Sequence, residues 1–416
     1  MNRRKLLKTF CLMSAVALTT IGCSSDSTVF LLNSTAAQVS NSVIARDPLE
    51  PDQADLIASF IVQIPFGPVP VLASDGKVHL VYEILVTNRS ARLIQFDSFQ
   101  VLDDADRGRV LLTAQNAEIA ELMTLISGEP DIRELQPSQT SIIYVDIPLT
   151  TTAQIPGILV HRIGGRDLDL DQPFNEVLGA RVHVHSEIVA PILSPPALGD
   201  NWVSAEACCD RSHHRRGAPS LNGEIYLSQR FAIDFIQMVN GELFNGDPAI
   251  LNNWFVYGVE LLAVADGVVT SVLNDQPDIT PFLPNPNKLT KQTAAGNHVI
   301  VDMGNGISYV FGHMQPGSVR VQVGDRVTTG QVLGLVGNSG NTDAPHLHMH
   351  VMTGPDIFQG RGIPYGFANY TVTGSFPTID DFIPEPAGPP INRIDVTPRA
   401  VQKAYPLELD ILNFPN

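Results

Sequence analysis

The chain has 416 residues, of which 44% are hydrophobic and 17% charged, enough apolar material for more than one core and too much for a mainly disordered chain. A formal net charge of -17 repels a phosphate backbone, so nucleic acid is excluded as a natural partner. With 32 Gly and 31 Pro, turns are frequent, and the composition favours many short strands over long helices, an all-β chain.

Residues 1–22 read as a targeting segment. Arg3, Arg4, Lys5 and Lys8 form a basic start, and the apolar-to-small run from Thr9 to Gly22 is too short for a comfortable transmembrane helix. Thr20-Ile21-Gly22-Cys23 resembles the lipobox of bacterial lipoproteins. That resemblance implies cleavage before Cys23 and a lipid on this cysteine. It also implies an exported chain anchored to the envelope membrane, the outer membrane if the organism has one. The alternative is an ordinary secretory signal followed by an unrelated cysteine. Residues 23–55, rich in Ser, Asn and Asp without sustained periodicity, read as a flexible tether.

Residues 56–190 carry strand signals. Val78, Leu80, Tyr82, Ile84 and Val86 alternate with their neighbours at the period of a half-buried strand. Further runs follow at Leu93 to Leu102, Arg109 to Thr113, Thr140 to Leu149, Gly157 to Ile163 and Leu178 to Ile188, with a helix-like patch from Ala114 to Ser127. Strand-sized runs between polar turns fit an antiparallel sandwich of about immunoglobulin size. Its Asp103, Asp104 and Asp106, and again Asp167, Asp169 and Asp171, do not follow a calcium-loop pattern and read as turn carboxylates. No catalytic cluster is visible in it, and the sandwich is expected to offer a surface to an envelope protein partner. Residues 191–211, with Pro and Gly concentrated between Pro191 and Asp200, read as a linker. The adjacent Cys208 and Cys209 allow either a bridge between neighbours or two free thiols.

Residues 212–375 hold seven of the eleven His. In His346-Leu347-His348-Met349-His350, positions i, i+2 and i+4 of a strand face one way, so three imidazoles line one side. Such a row can share a metal, or let one ring bind it while another handles protons. The alternative is the polar face of an exposed strand. Residues 376–416 read as a Pro-rich extension wrapping the domain.

Around that cluster, Arg230-Phe231-Ala232-Ile233-Asp234, Gly296-Asn297-His298, Tyr309-Val310-Phe311-Gly312-His313, Gly337-Asn338-Ser339-Gly340-Asn341 and Pro345-His346-Leu347-His348 occur in the order found in lysostaphin/LytM-type zinc metalloendopeptidases of bacterial cell walls, which this part of the chain resembles. The resemblance implies a small antiparallel β domain of the duplicated-hybrid-motif kind, with a groove holding one Zn2+. It implies Asp234 and His348 as metal ligands, and His313 and His346 flanking the attacking water and the developing oxyanion. The remaining ligand position of the family, four residues before Asp234, holds Arg230, whose guanidinium has no lone pair to give. His214, in the basic segment from Ser212 to Gly217, is the expected third ligand, and His350 is the other candidate. With no such donor, Arg230 would serve as a clamp for a substrate carboxylate.

The function these readings imply is that of a membrane-anchored hydrolase, a zinc metalloendopeptidase cutting peptide bonds in peptidoglycan or a related envelope peptide. The alternative is a catalytically degenerate domain that binds cell wall or activates a partner hydrolase.

Overall fold

The computed structural model describes residues 58–126, 132–209, 212–286, 289–383 and 388–415. The targeting segment and the whole of the tether, with Cys23, lie outside the described residues, as does Pro384-Glu385-Pro386 in the carboxy-terminal extension. Among the described residues the chain is nearly all β, with three short α-helices at Ala117–Leu122, His213–Arg216 and Ile379–Phe382. None of them is long and apolar enough to cross a membrane.

The amino-terminal unit is a pair of antiparallel sheets. One runs Phe60–Gln63, Val78–Asn88, Thr140–Leu149, Met123–Leu125; the other runs Gln172–His183, Ile158–Asp167, Ile94–Asp103, Val110–Gln115. The alternating residues of Val78–Asn88 enter the core between the sheets, where Leu80, Tyr82, Ile84 and Val86 meet Phe96, Phe99, Val101, Ile143 and Val145. Each large apolar side chain buried this way contributes about 1.5–3 kcal/mol. The helix-like patch keeps its helix only over Ala117–Leu122. Met123–Leu125 leaves it to pair with Ser141, Ile142 and Ile143, since a partner strand outweighs local propensity. Among the turn aspartates, Asp103 is ion-paired with Arg109, Asp104 with Arg107 and Arg181, Asp167 with Arg92, and Asp171 with Arg166.

The strand Val78–Asn88 is covered on its other face as well. Val81 and the nearby Val71 belong to the core of the carboxy-terminal unit, and Glu83, two residues beyond Val81 on the same strand, is fully buried. The sandwich therefore packs its first long strand directly onto the second unit, whose main sheet runs Ile192–Leu193, Gly366–Ser375, Asp410–Phe414, Gly199–Ala205, Ile233–Gln237, Leu347–Thr353, Ile307–Met314, Asn297–Asp302, Gly267–Leu273 and Arg326–Val327, with Ile394–Ala404 beside Gly366–Ser375. Residues 191–211, which read as a linker, contribute two of these strands. The carboxy-terminal extension contributes two more, and Ile411, Leu412 and Phe414 lie in the common core. Cys208 and Cys209 are bridged to each other in the turn after Gly199–Ala205. Trp202 and Trp254 are buried in the same core.

Candidate metal and catalytic site

Three adjacent strands converge on the site. Ile233–Gln237 lies antiparallel to Leu347–Thr353 with Asp234 opposite His348, and Ile307–Met314 flanks the other side with Gly312 opposite His348. Asp234 and His348 thus meet by register, His346 stands just before its strand, and His313 follows Gly312. The row of imidazoles is not a solvated face: His313, His346, His348 and His350 are all buried.

Asp234 is the centre of the group. Its Oδ1 lies 2.8 Å from His348 Nδ1 and 3.3 Å from His346 Nε2, and its Oδ2 lies 3.4 Å from His214 Nε2. One ligand atom each from His214, Asp234 and His348 falls within 4.8 Å of the others, as does one each from His313, His346 and His348. Ligands about 2.0–2.1 Å from a tetrahedral zinc stand about 3.3 Å apart. The spacing around Asp234 is therefore of the size such an ion needs, and the donor set of two imidazoles and a carboxylate is one that zinc takes.

Each ring is held by its other nitrogen. His214 Nδ1–H donates to the Glu206 carbonyl at 2.9 Å, His346 Nδ1–H to the Ala344 carbonyl at 2.8 Å, and His313 Nδ1–H to the Ser339 carbonyl at 2.7 Å. All three therefore turn an Nε2 lone pair toward the site, the outer-sphere arrangement that fixes ligating and proton-handling imidazoles. His346 Nε2 is buried without a hydrogen-bond partner of good geometry. His350 sits at the far nitrogen of His348, Nδ1 to Nε2 at 3.0 Å. With the proton on His348 Nε2 donated to His350, Nδ1 is free for a metal beside Asp234. His350, the other candidate for third ligand, thus supports His348 and does not stand with Asp234.

The electrostatics follow from burial and from one carboxylate. Burial works to raise Asp234, but the imidazoles of His214, His346 and His348 beside it outweigh that and hold it well below the usual carboxylate range. Burial pushes His313 well below the ordinary imidazole value, aided by His346 and His348, and lowers His348 and His350 as well. His346 moves up despite burial, because Asp234 faces it.

Backbone geometry at His313 shows how firmly the ring is placed. It has a φ of 55°, a left-handed conformation costly for a residue with a Cβ. Its backbone N–H donates to the Ala295 carbonyl at 2.8 Å while its ring is tied to Ser339. The glycines of Gly296-Asn297-His298 and Gly337-Asn338-Ser339-Gly340 meet there. A Cβ on Gly340 would lie 2.2 Å from the Gly296 backbone nitrogen, so the two loops close only without side chains.

His214 reaches the site on the short helix His213–Arg216, capped by Ser212, whose hydroxyl accepts the Arg215 N–H. The segment is therefore held as a helical turn. The reason lies in Arg215, which is buried and donates to Glu83 Oε1 at 3.2 Å and to the Tyr82 and Val145 carbonyls at 3.2 and 2.7 Å, all on the sandwich. Arg230 is not a substrate clamp either. It is 4% exposed and its Nε donates to both oxygens of Glu83, at 3.1 and 2.8 Å. Sequence reasoning missed Glu83 and Glu206. Glu83 occupies the off-phase side of a strand, where an acidic residue ordinarily faces water. A further group, His79, Asp146 and Cys209, is spaced for a metal, but Cys209 is committed to its bridge with Cys208.

Residues 255–359, which include His313, His346, His348 and His350, match the model of Peptidase family M23. This part of the chain is an M23 domain. Among curated proteins, the peptidoglycan DD-endopeptidase ShyA of Vibrio cholerae is 34% identical over 83 residues, which are 20% of this chain and 18% of that protein. Endolysin 2638A of Staphylococcus phage 2638A is 43% identical over 61 residues, 14% of this chain and 12% of its own. The chain thus spans under a fifth of these relatives' length. Among solved structures, the catalytic domain of the prophage-encoded M23 protein EnpA from Enterococcus faecalis aligns at 22% identity and a TM-score of 0.25, covering 41% of this chain and 92% of that one. The lysostaphin catalytic domain from Staphylococcus simulans aligns at 16% and 0.22, covering 39% and 88%. His313, His346, His348 and His350 fall inside the matched stretch; His214, Arg230 and Asp234 precede it.

Proposed function

We propose that this domain is a zinc-dependent endopeptidase acting on peptide bonds of peptidoglycan or a related envelope peptide, in a chain exported and anchored through a lipid on Cys23. The observation that carries the reading is the arrival of His214 Nε2 at Asp234, beside His348, where the family position itself holds Arg230. His214, Asp234 and His348 would hold the ion, which supplies a Lewis acid for the scissile carbonyl and a water made acidic near neutral pH. Asp234 contributes a charge already ionised, and His348 a lone pair kept available by His350. His313 and His346, with Nδ1 tied to carbonyls, are left to take a proton from the attacking water, steady the oxyanion and return the proton to the leaving amine.

The test is metal content and cleavage on the same preparation. The full chain is expected to carry about one zinc, lost in His214→Ala and in His348→Ala, and to release peptides from purified peptidoglycan. His313→Ala should keep the metal and lose turnover. A wild-type chain without zinc would favour the second reading, a metal-free domain that binds cell wall or activates a partner hydrolase. The guanidinium at position 230 is the feature that speaks for it.

A further inference from the structure

We infer that the β sandwich is a positioning domain for the metal site, with Glu83, Arg215 and Arg216 as positioning residues that set His214 in the place its ligand role requires. This rests on the metal-site reading above. A four-residue helix does not hold itself together in water, since its nucleation is unfavourable and it ends before propagation repays it. What fixes His213–Arg216 is its grip on the sandwich. Arg215 reaches Val78–Asn88 and Thr140–Leu149 through Glu83, Tyr82 and Val145. Arg216 donates to Thr124 Oγ1 at 3.1 Å and to the Glu121 carbonyl at 2.8 Å, with its guanidinium 4.9 Å from the centre of the Tyr144 ring. His214 sits one residue before this pair, with its Nδ1 held by the Glu206 carbonyl and its ring against His348.

The same Glu83 carboxylate also receives Arg230. One buried acid of the sandwich therefore clamps both the side chain at the family's donor position and the helix that delivers a donor from elsewhere. The ligand has moved from the strand entry onto a support built by the other unit, and the site is complete only with the sandwich in place. The family match, confined to 255–359, contains none of this apparatus.

The experiment is zinc affinity of the full chain, stripped with a chelator and titrated against a chromophoric competitor, with the visible absorption of the Co2+ form as a report of coordination. Arg216→Ala, at the half-buried end of the helix, is expected to weaken zinc by about 10-fold or more and to change the Co2+ spectrum. Arg216→Lys, which keeps charge but not the forked donor, should fall between. Ile163→Val, in the distant sheet of the sandwich core, controls for general destabilisation and should bind zinc like wild type. Wild-type affinity and spectrum in folded Arg216→Ala would overturn the inference; if that variant does not fold, the same result in Arg216→Lys does so. Equal weakening in Ile163→Val would overturn it too. A wild-type chain that takes up no zinc would instead overturn the metal-site reading on which it rests.

Discussion

Glu83→Gln is the most informative perturbation of stability. The Glu83 side chain has no exposure, those of Arg215 and Arg230 only 1% and 5%, and the three form a buried Arg–Glu–Arg cluster of net charge +1. Neutralising the acid leaves two guanidiniums facing one another out of water. Arg215 retains the carbonyls of Tyr82, Val145 and Cys209, whereas the hydrogen bonds described for the Arg230 side chain all go to Glu83. Removing one partner of such a pair costs about 3–5 kcal/mol. That corresponds to a fall in Tm of roughly 6–20 °C. Urea and thermal unfolding, followed by circular dichroism and by the fluorescence of Trp202 and Trp254, would measure it. Glu83→Met with Arg230→Met restores the net charge and fills the space with apolar atoms, and should recover most of the loss. A Glu83→Gln chain within about 1 kcal/mol of wild type would refute the argument, since the expected penalty is several times larger.

Three further outcomes follow from the described geometry. His161 accepts from Tyr82 O–H at 2.6 Å and donates to the Ala180 carbonyl at 2.7 Å, and burial lowers it from 6.5 to about 4. Because the fold prefers the neutral ring, its contribution is complete above pH 6.5 and lost as pH falls toward 4. It amounts to about 3 kcal/mol; pH-dependent unfolding should show this loss, and His161→Gln should reduce the slope between those limits, an unchanged slope contradicting the assignment. His350→Phe removes the acceptor at His348 Nε2 and should weaken zinc by about 10-fold, read by the same competitive titration; equal affinity would mean that the contact does not orient the ligand. Gly340→Ala forces the Gly296 and Gly340 loops apart and moves the Ser339 carbonyl from His313, so peptide release should fall while zinc stays; full turnover would show that His313 does not need that anchor.

Much of the site is legible in the sequence because strand geometry preserves it. His346, His348 and His350 share a face by period, and Asp234 with His313 stand in motifs whose order marks the domain. His214 is legible only by elimination, as a nearby donor once Arg230 is disqualified. Glu83 is not legible, because an acid on the off-phase side of a strand looks the same whether it meets water or a second unit. The same blindness applies to Gly199–Ala205 and Asp410–Phe414. Their partners lie far away in sequence, and Pro and Gly nearby resemble a linker until the pairing is seen. The sandwich shows its core plainly in Val78 to Val86, yet not that its outer face is a floor for something else.

The strand Val78–Asn88, packed on both sides, has a consequence for anyone borrowing this domain. A fragment trimmed to residues 255–359 would leave behind Asp234 and His214 together with the arginines that steady the latter. Grafting into a chimera or a lytic fusion would have to carry the chain from its first strand to its last, so that modular exchange, easy for compact catalytic cassettes, is closed to this one.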